Sequence, residues 1–94
     1  MSRWIKVTFH DTSDTHKLRN CTEDLSLELR GTTFGALSFD EAGEVGFKRD
    51  FVRIVDVPAR QLRRGIAFVE QLLKEHYYEN STSITSGSMQ DLDA

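Results

Sequence analysis

The sequence predicts a small α+β domain in which an antiparallel sheet of about five short strands precedes one long C-terminal helix. Apolar residues alternate with polar ones in several short segments, and they recur every three or four residues between Pro58 and Glu79. Beyond Asn80 the chain is polar and rich in Ser, Thr and Gly. We therefore expect a β-meander with the helix packed on one face, a domain over residues 1–80 and a flexible polar tail over residues 81–94.

The strands are predicted from alternation with a period of two residues. The first runs from Trp4 to Phe9 and places Ile5, Val7 and Phe9 on one side. Residues 51–57 are apolar on both sides, which is typical of a central strand. The same pattern predicts strands at residues 24–30, 32–39 and 45–47, the last two joined by a turn-like sequence at residues 40–43.

The polar segment at residues 11–22 is predicted to be a long loop, because it has too few apolar residues to join the core. Such a loop is either mobile or in contact with a partner.

The helix is predicted from its apolar stripe. Leu62, Ile66, Val69 and Leu73 recur with helical spacing, and Leu72 widens the same side. Pro58 suits a first helical turn.

Composition excludes several classes of protein. One cysteine among 94 residues permits no internal disulfide and no thiolate cluster for zinc. The sequence after Met1 lacks the apolar run of a secretory signal, and no segment has the apolar length needed to cross a bilayer. We therefore predict a cytoplasmic protein with no membrane partner.

The formal net charge of −3 conceals a basic patch. Residues 48–64 carry a charge of +4, whereas residues 1–47 carry −3 and residues 65–94 carry −4. The cations of this patch are Lys48, Arg49, Arg53, Arg60, Arg63 and Arg64.

Three of these arginines lie near the positive end of the predicted helix dipole, which is unfavourable for the isolated helix. One explanation is an anionic partner, either a nucleic-acid backbone or an acidic protein surface. The alternative is that Arg60, Arg63 and Arg64 pair with nearby carboxylates or are simply solvated.

Two aromatic residues fall outside the apolar stripe of the helix and are candidate anchors of a protein interface. On a helical wheel Phe68 lies to one side of the stripe, and Tyr78 lies almost opposite to it. Phe68 could instead cover Gly65 at the edge of the core.

The free face of the sheet is a candidate site for single-stranded nucleic acid, which binds to aromatic rings beside positive charge. Trp4 shares its side of the first strand with Lys6, and we expect Phe34 and Arg53 to lie nearby. The alternative is that Trp4 caps the core or fills an interface.

Residues with catalytic or metal-binding side chains cluster in one place, at His10, Asp11, Asp14, His16 and Cys21. Their spacing matches no rigid metal site, and a Cys21–His16 pair has no third group to orient it. The glycines form no phosphate-binding loop. The sequence therefore predicts a protein that is not an enzyme and has no cofactor and no metal.

These observations together predict a non-catalytic, intracellular protein-binding module, such as a small regulator, adaptor or inhibitor that occludes or bridges its partner. Its predicted contact residues are Phe68, Tyr78, Arg60, Arg63 and Arg64, with the segment at residues 11–22 as a second surface. Homo-oligomerisation is compatible with so small a core. The alternative is a protein that binds single-stranded or duplex nucleic acid through the patch at residues 48–64.

Overall fold

The computed structural model describes residues 1–10, 15–37 and 50–92. Within these ranges the chain forms four strands and two α-helices, with short 3₁₀ turns at residues 59–61, 79–81 and 89–92. In chain order the elements are β1 (Ser2–Phe9), α1 (Thr15–Leu29), β2 (Ala36–Leu37), β3 (Phe51–Pro58), α2 (Leu62–Glu75) and β4 (Thr82–Ser88). The predicted α+β class is confirmed, with four strands in place of about five and a second helix.

The strands form one antiparallel sheet in the order β2-β3-β1-β4. This order is not the predicted meander, because α1 and α2 carry the chain across the sheet between strands that are not adjacent. Two β-α-β units are thereby interleaved, an arrangement known as the split β-α-β fold. The prediction of a central position for the strand at residues 51–57 is confirmed, since β3 lies between β2 and β1.

Both helices pack on the same face of the sheet. From β1, the side chains of Ile5, Val7 and Phe9 are buried there, as their alternation predicts. The other residues of this core cluster are Val52, Ile54 and Val57 from β3, Cys21, Leu25 and Leu29 from α1, Val69, Leu72 and Leu73 from α2, and Tyr78 after α2. Within the described residues, no helix lies on the opposite face of the sheet.

A β-bulge interrupts the pairing of β1 with β3. Ile5 pairs with Ile54 and Arg3 pairs with Val57, so two residues of β3 lie opposite the single residue Trp4. The extra residue is Asp56, which is exposed and has a left-handed φ of 59°.

Of the segment at residues 24–30, predicted to be a strand, residues 24–29 belong to α1. Residues 15–22 of the predicted loop also belong to α1, and residues 11–14 lie outside the described residues. The alternation of three leucines hides a helical spacing, because Cys21, Leu25 and Leu29 are buried while Leu27 is 59% exposed. Leu, Glu and Arg are strong helix formers and favour the same outcome. The packing of Cys21, Leu25 and Leu29 on the sheet therefore selects the period of a helix over that of a strand.

Within the predicted strand at residues 32–39, the described residues form β2, which pairs Ala36 and Leu37 with β3, and residues 38–39 lie outside the described residues. Gly35 precedes it with a φ of 99°, which ends the regular backbone at that point. The predicted turn at residues 40–43 and strand at residues 45–47 lie outside the described residues.

The predicted flexible tail contains a strand. Residues Thr82–Ser88 form β4, which pairs with β1 from Phe9–Thr82 to Arg3–Ser88. The polar composition is compatible with an edge strand because only one side of β4 faces the core, where Ile84 is half-buried. The domain therefore continues past residue 80.

The helix α2 ends at Glu75, four residues before the predicted end. Tyr77 has a φ of 63°, and the amide N–H of Tyr78 donates to the carbonyl oxygen of Leu73 at 2.7 Å. The amide N–H of Tyr77 donates to the carbonyl of Lys74 at 3.2 Å. This pair of bonds is a Schellman motif, in which one left-handed residue reverses the chain.

In the part of the chain that the structure describes, no helix has the length and apolar character needed to cross a membrane.

Candidate nucleic-acid interface

The face of the sheet opposite the helices combines aromatic and basic side chains on its two central strands. Trp4, Lys6 and Thr8 alternate with the core residues of β1, and Phe51 and Arg53 do the same on β3. All five side chains are half-buried, and their positions follow directly from the period of two residues. We call these five residues the sheet-face cluster.

The cluster is held together by contacts between cations and rings. The Nζ atom of Lys6 lies 4.5 Å from the ring centroid of Phe51. The guanidinium carbon of Arg53 lies 5.2 Å from the centroid of Trp4 and 5.3 Å from that of Phe51. Lys6 and Arg53 are also direct cross-strand partners. Arg53 thus contacts both aromatic rings, and Lys6 contacts that of Phe51.

The indole of Trp4 lies against the backbone of β4. Its cross-strand partner is Gly87, and a Cβ atom at that position would be 2.5 Å from Cζ2 of Trp4. A glycine is therefore required for the indole ring to lie on β4. The ring in turn covers the backbone that the glycine, which has no side chain, leaves exposed. The Nε1 atom of Trp4 is buried against this strand.

Hydroxyl groups border the cluster on the β4 side. Ser83 pairs with Thr8 and Thr85 pairs with Lys6, so these hydroxyl side chains share the face. At the end of β1, Nε2 of His10 and Oγ of Ser83 form a hydrogen bond of 2.5 Å. These groups can donate and accept hydrogen bonds without adding negative charge.

Asp56 brings one negative charge to this face. It lies at the bulge opposite Trp4 and is exposed. At the described positions of this face, two cations therefore stand against one carboxylate, so the local charge is opposite in sign to the net charge of the chain.

The predicted basic patch is divided between two sides of the molecule. Arg53 belongs to the sheet-face cluster, whereas Arg60, Arg63 and Arg64 are exposed at the start of α2, on the other side of the sheet. Lys48 and Arg49 lie outside the described residues.

The predicted protein-binding anchors are not both at the surface. Tyr78 is 8% exposed and belongs to the core, which contradicts its prediction as an interface residue. The helical wheel misplaced it because α2 ends before it and the left-handed Tyr77 turns the chain inward. Tyr77 is the exposed ring, at 87%.

Phe68 is half-buried and packs against Phe34, with ring centroids 5.4 Å apart. Phe34 therefore lies on the helix side of the sheet, whereas the sequence analysis predicts it near Trp4 on the free face. Arg64 is exposed and lies four residues, or about one helical turn, before Phe68 on α2.

Of the residues with catalytic side chains, Asp11 and Asp14 lie outside the described residues, and His10, His16 and Cys21 do not converge. Cys21 is fully buried in the core, and burial raises the pKa of its thiol to about 12, with the Asp24 carboxylate as a smaller cause. His16 is exposed on α1. Among residues 1–10, 15–37 and 50–92, no three His, Cys, Asp or Glu side chains lie close enough to hold a metal ion.

Sequence reasoning found Trp4, Lys6 and Arg53 but did not include Phe51 or Gly87 in the site. The signal for Phe51 is present, because it lies two residues before Arg53 in the same strand. The signal for Gly87 is absent from the local sequence, since only the pairing of β4 with β1 brings it under the indole.

The chain matches no protein-family model, no curated protein and no solved structure. Its function has to be inferred from the geometry of its own surfaces.

Proposed function

We propose that this protein binds single-stranded nucleic acid through the sheet-face cluster. The observation that carries the proposal is the arrangement of Trp4 and Phe51 on the two central strands, with Arg53 in contact with both rings and Lys6 in contact with Phe51. Bases stack on aromatic rings whatever their sequence, and each such contact contributes roughly 1–3 kcal/mol. Other four-stranded sheets bind single-stranded RNA with aromatic side chains that stack two or three bases.

Each part of the cluster has a distinct role in this mode of binding. The rings of Trp4 and Phe51 stack with successive bases, while Lys6 and Arg53 neutralise the phosphates that join them. The hydroxyls of Thr8 and Thr85 are available for hydrogen bonds to bases or sugars. Single strands are favoured over duplex because the bases of a duplex are already stacked and paired.

The acidic net charge does not oppose this function, because single-strand binding depends on local charge and stacking. Two phosphate contacts predict a modest salt dependence. Between about 50 and 200 mM salt the affinity should fall roughly sevenfold, from a slope of about 0.7 per phosphate.

Fluorescence anisotropy with a labelled oligonucleotide of about ten nucleotides tests the proposal. Trp4→Leu and Phe51→Leu should each weaken binding by roughly tenfold or more through lost stacking. Arg53→Gln should weaken binding and reduce the salt slope. Arg63→Gln is the matched control, since it removes an exposed arginine elsewhere and should leave binding unchanged.

A different result would contradict the proposal. If Trp4→Leu and Phe51→Leu bind as the wild type does, the sheet face is not the site. If the triple change of Arg60, Arg63 and Arg64 to Gln abolishes binding while the sheet-face variants retain it, nucleic acid binds at α2 instead.

The second candidate is the protein-binding function that the sequence favours. The observation that supports it is the row formed by Arg60, Arg64 and the accessible part of Phe68 along one side of α2, which is suited to an acidic protein surface. Charge reversal of Arg60 and Arg64 to Glu should abolish capture of such a partner. Phe68→Ala should weaken it beyond the effect on stability, which unfolding in urea measures separately.

A further inference from the structure

Among the described residues, the strand β4 forms an unprotected edge of the sheet. Within the described residues it pairs only with β1, and its register runs without a break from Thr82 to Ser88. Its sequence, TSITSGS, contains no charge and no proline. Natural edge strands are usually protected from further pairing by lysine, proline, a bulge or short length. At the other edge, β2 has two residues within the described part of the chain. The peptide groups of β4 are therefore available to pair with another strand.

A groove runs beside this edge, between β4 and α2, with a volume of about 640 Å³. Four of its lining residues are one helical stripe of α2, at spacings of three and four residues. The stripe consists of Ala67, Glu70, Gln71 and Lys74, and the strand contributes Thr82 and Ile84. All four side chains of the stripe are exposed, so the groove has a small, polar and charged wall.

We propose that this edge binds a second copy of the chain, with β4 of one copy antiparallel to β4 of the other. A two-fold axis perpendicular to the sheet joins the two sheets into one continuous sheet and keeps the helices of both copies on the same side. The two α2 helices then lie antiparallel across the axis, and each groove receives the helix of the other copy.

Charge favours a second copy as the occupant. Glu70 and Lys74 are one turn apart on the groove wall, so the two-fold axis, which reverses their order, brings Glu70 of one copy towards Lys74 of the second copy. Glu79 lines the groove beyond Lys74 and offers that lysine a second acidic neighbour. The neutral strand adds no repulsion when it meets its own copy. This inference does not depend on the proposed nucleic-acid function.

Sedimentation velocity of the full chain over a range of concentrations tests the inference. The wild type should sediment as a dimer that dissociates on dilution. Glu70→Lys alone and Lys74→Glu alone should each be monomeric, because like charges then meet across the axis. An equimolar mixture of the two variants should form a heterodimer, which also shows that both variants are folded.

Glu28→Lys is the matched control, since it makes the same change of charge at an exposed position on α1 and should remain dimeric. A wild type that stays monomeric at every concentration overturns the proposal and leaves the edge to a strand of another protein. Single variants that dimerise as the wild type does, or a mixture that fails to form the heterodimer, also overturn it.

Discussion

Tyr77 shows how one backbone conformation redistributes the side chains around it. Its φ of 63° is unfavourable for a residue with a Cβ atom, yet it ends α2 and turns Tyr78 into the core. The ring of Tyr77 is left 87% exposed and contributes little packing to hold this conformation. The strain is therefore sustained by the two hydrogen bonds of the Schellman motif and by the burial of Tyr78.

Replacing Tyr77 with Gly should raise the free energy of unfolding by up to about 1 kcal/mol, because glycine adopts a positive φ without the steric cost. Tyr77→Ala removes the same ring but keeps the Cβ atom and therefore the steric cost of the positive φ, so the stability of this variant should match that of the wild type. Unfolding in urea measures both changes. Equal stabilities for Tyr77→Gly and Tyr77→Ala would show that the backbone of Tyr77 is not strained.

Gly87 is the residue on which the position of Trp4 depends. In Gly87→Ala the new Cβ would lie 2.5 Å from Cζ2 of the indole, so the ring must move off the strand. We expect a loss of about 1–3 kcal/mol in stability, as for other overpacked sites, together with a shift of the tryptophan emission. Ser86→Ala, the neighbouring change on the other side of β4, should leave the emission unchanged. An unshifted spectrum in Gly87→Ala would contradict the geometry of the cluster.

The buried thiol of Cys21 makes stability depend on alkaline pH. Its pKa is about 12 in the folded chain against an ordinary value of 9.0, so the unfolded state loses the proton first. The stabilising contribution is complete below pH 9 and decreases as pH rises towards 12, by up to about 1.4 kcal/mol per pH unit. In Cys21→Ala the free energy of unfolding should lack this decrease at high pH, which a comparison of the variant with the wild type from pH 8 upward measures. Parallel curves for the two proteins would contradict it.

At the scale of the secondary-structure elements, prediction succeeded where local pattern and tertiary packing agree. Strands β1 and β3 and the stripe of α2 each follow their period over the whole element. In α1, the segment at residues 24–30 satisfies two periods at once, and only the burial of Cys21, Leu25 and Leu29 selects the helix. A pattern of six or seven residues does not carry enough information to decide this from sequence alone.

The strand β4 was missed for a different reason. Its Ser and Gly residues have weak strand propensity, and its conformation is imposed by pairing with β1. The same pairing hid part of the candidate site, since Gly87 is distant from Trp4 in sequence. Trp4 and Lys6 were predictable because they alternate within a single strand.

Removal of residues 82–94 tests β4 as a structural element. A flexible tail could be removed without effect, whereas β4 shields one side of β1, whose Ile5 and Val7 are fully buried. We expect the truncated chain to lose its cooperative thermal transition, monitored by circular dichroism. Removal of residues 89–94 alone is the control and should preserve the transition. If the chain that lacks residues 82–94 melts as the full chain does, the pairing of β4 with β1 is contradicted.

At the scale of the whole molecule, α1 and α2 cover one face of the sheet, and the described residues of the other face form the sheet-face cluster. Strands β1 and β3 therefore have two roles, because one side of each faces the core and the other carries the surface proposed to bind nucleic acid. Association through β4 would place the two sheet faces side by side in one plane, and a single strand could then extend from one copy to the other.

The emission of Trp4 gives the most direct test of nucleic-acid binding, because Trp4 is the one tryptophan of the chain. Titration with a single-stranded oligonucleotide should quench this emission as bases stack on the indole, and Phe51→Leu should weaken the titration. A duplex of the same sequence should cause much less quenching. Emission that stays constant while anisotropy reports binding, or the absence of any binding at low salt, would contradict the account.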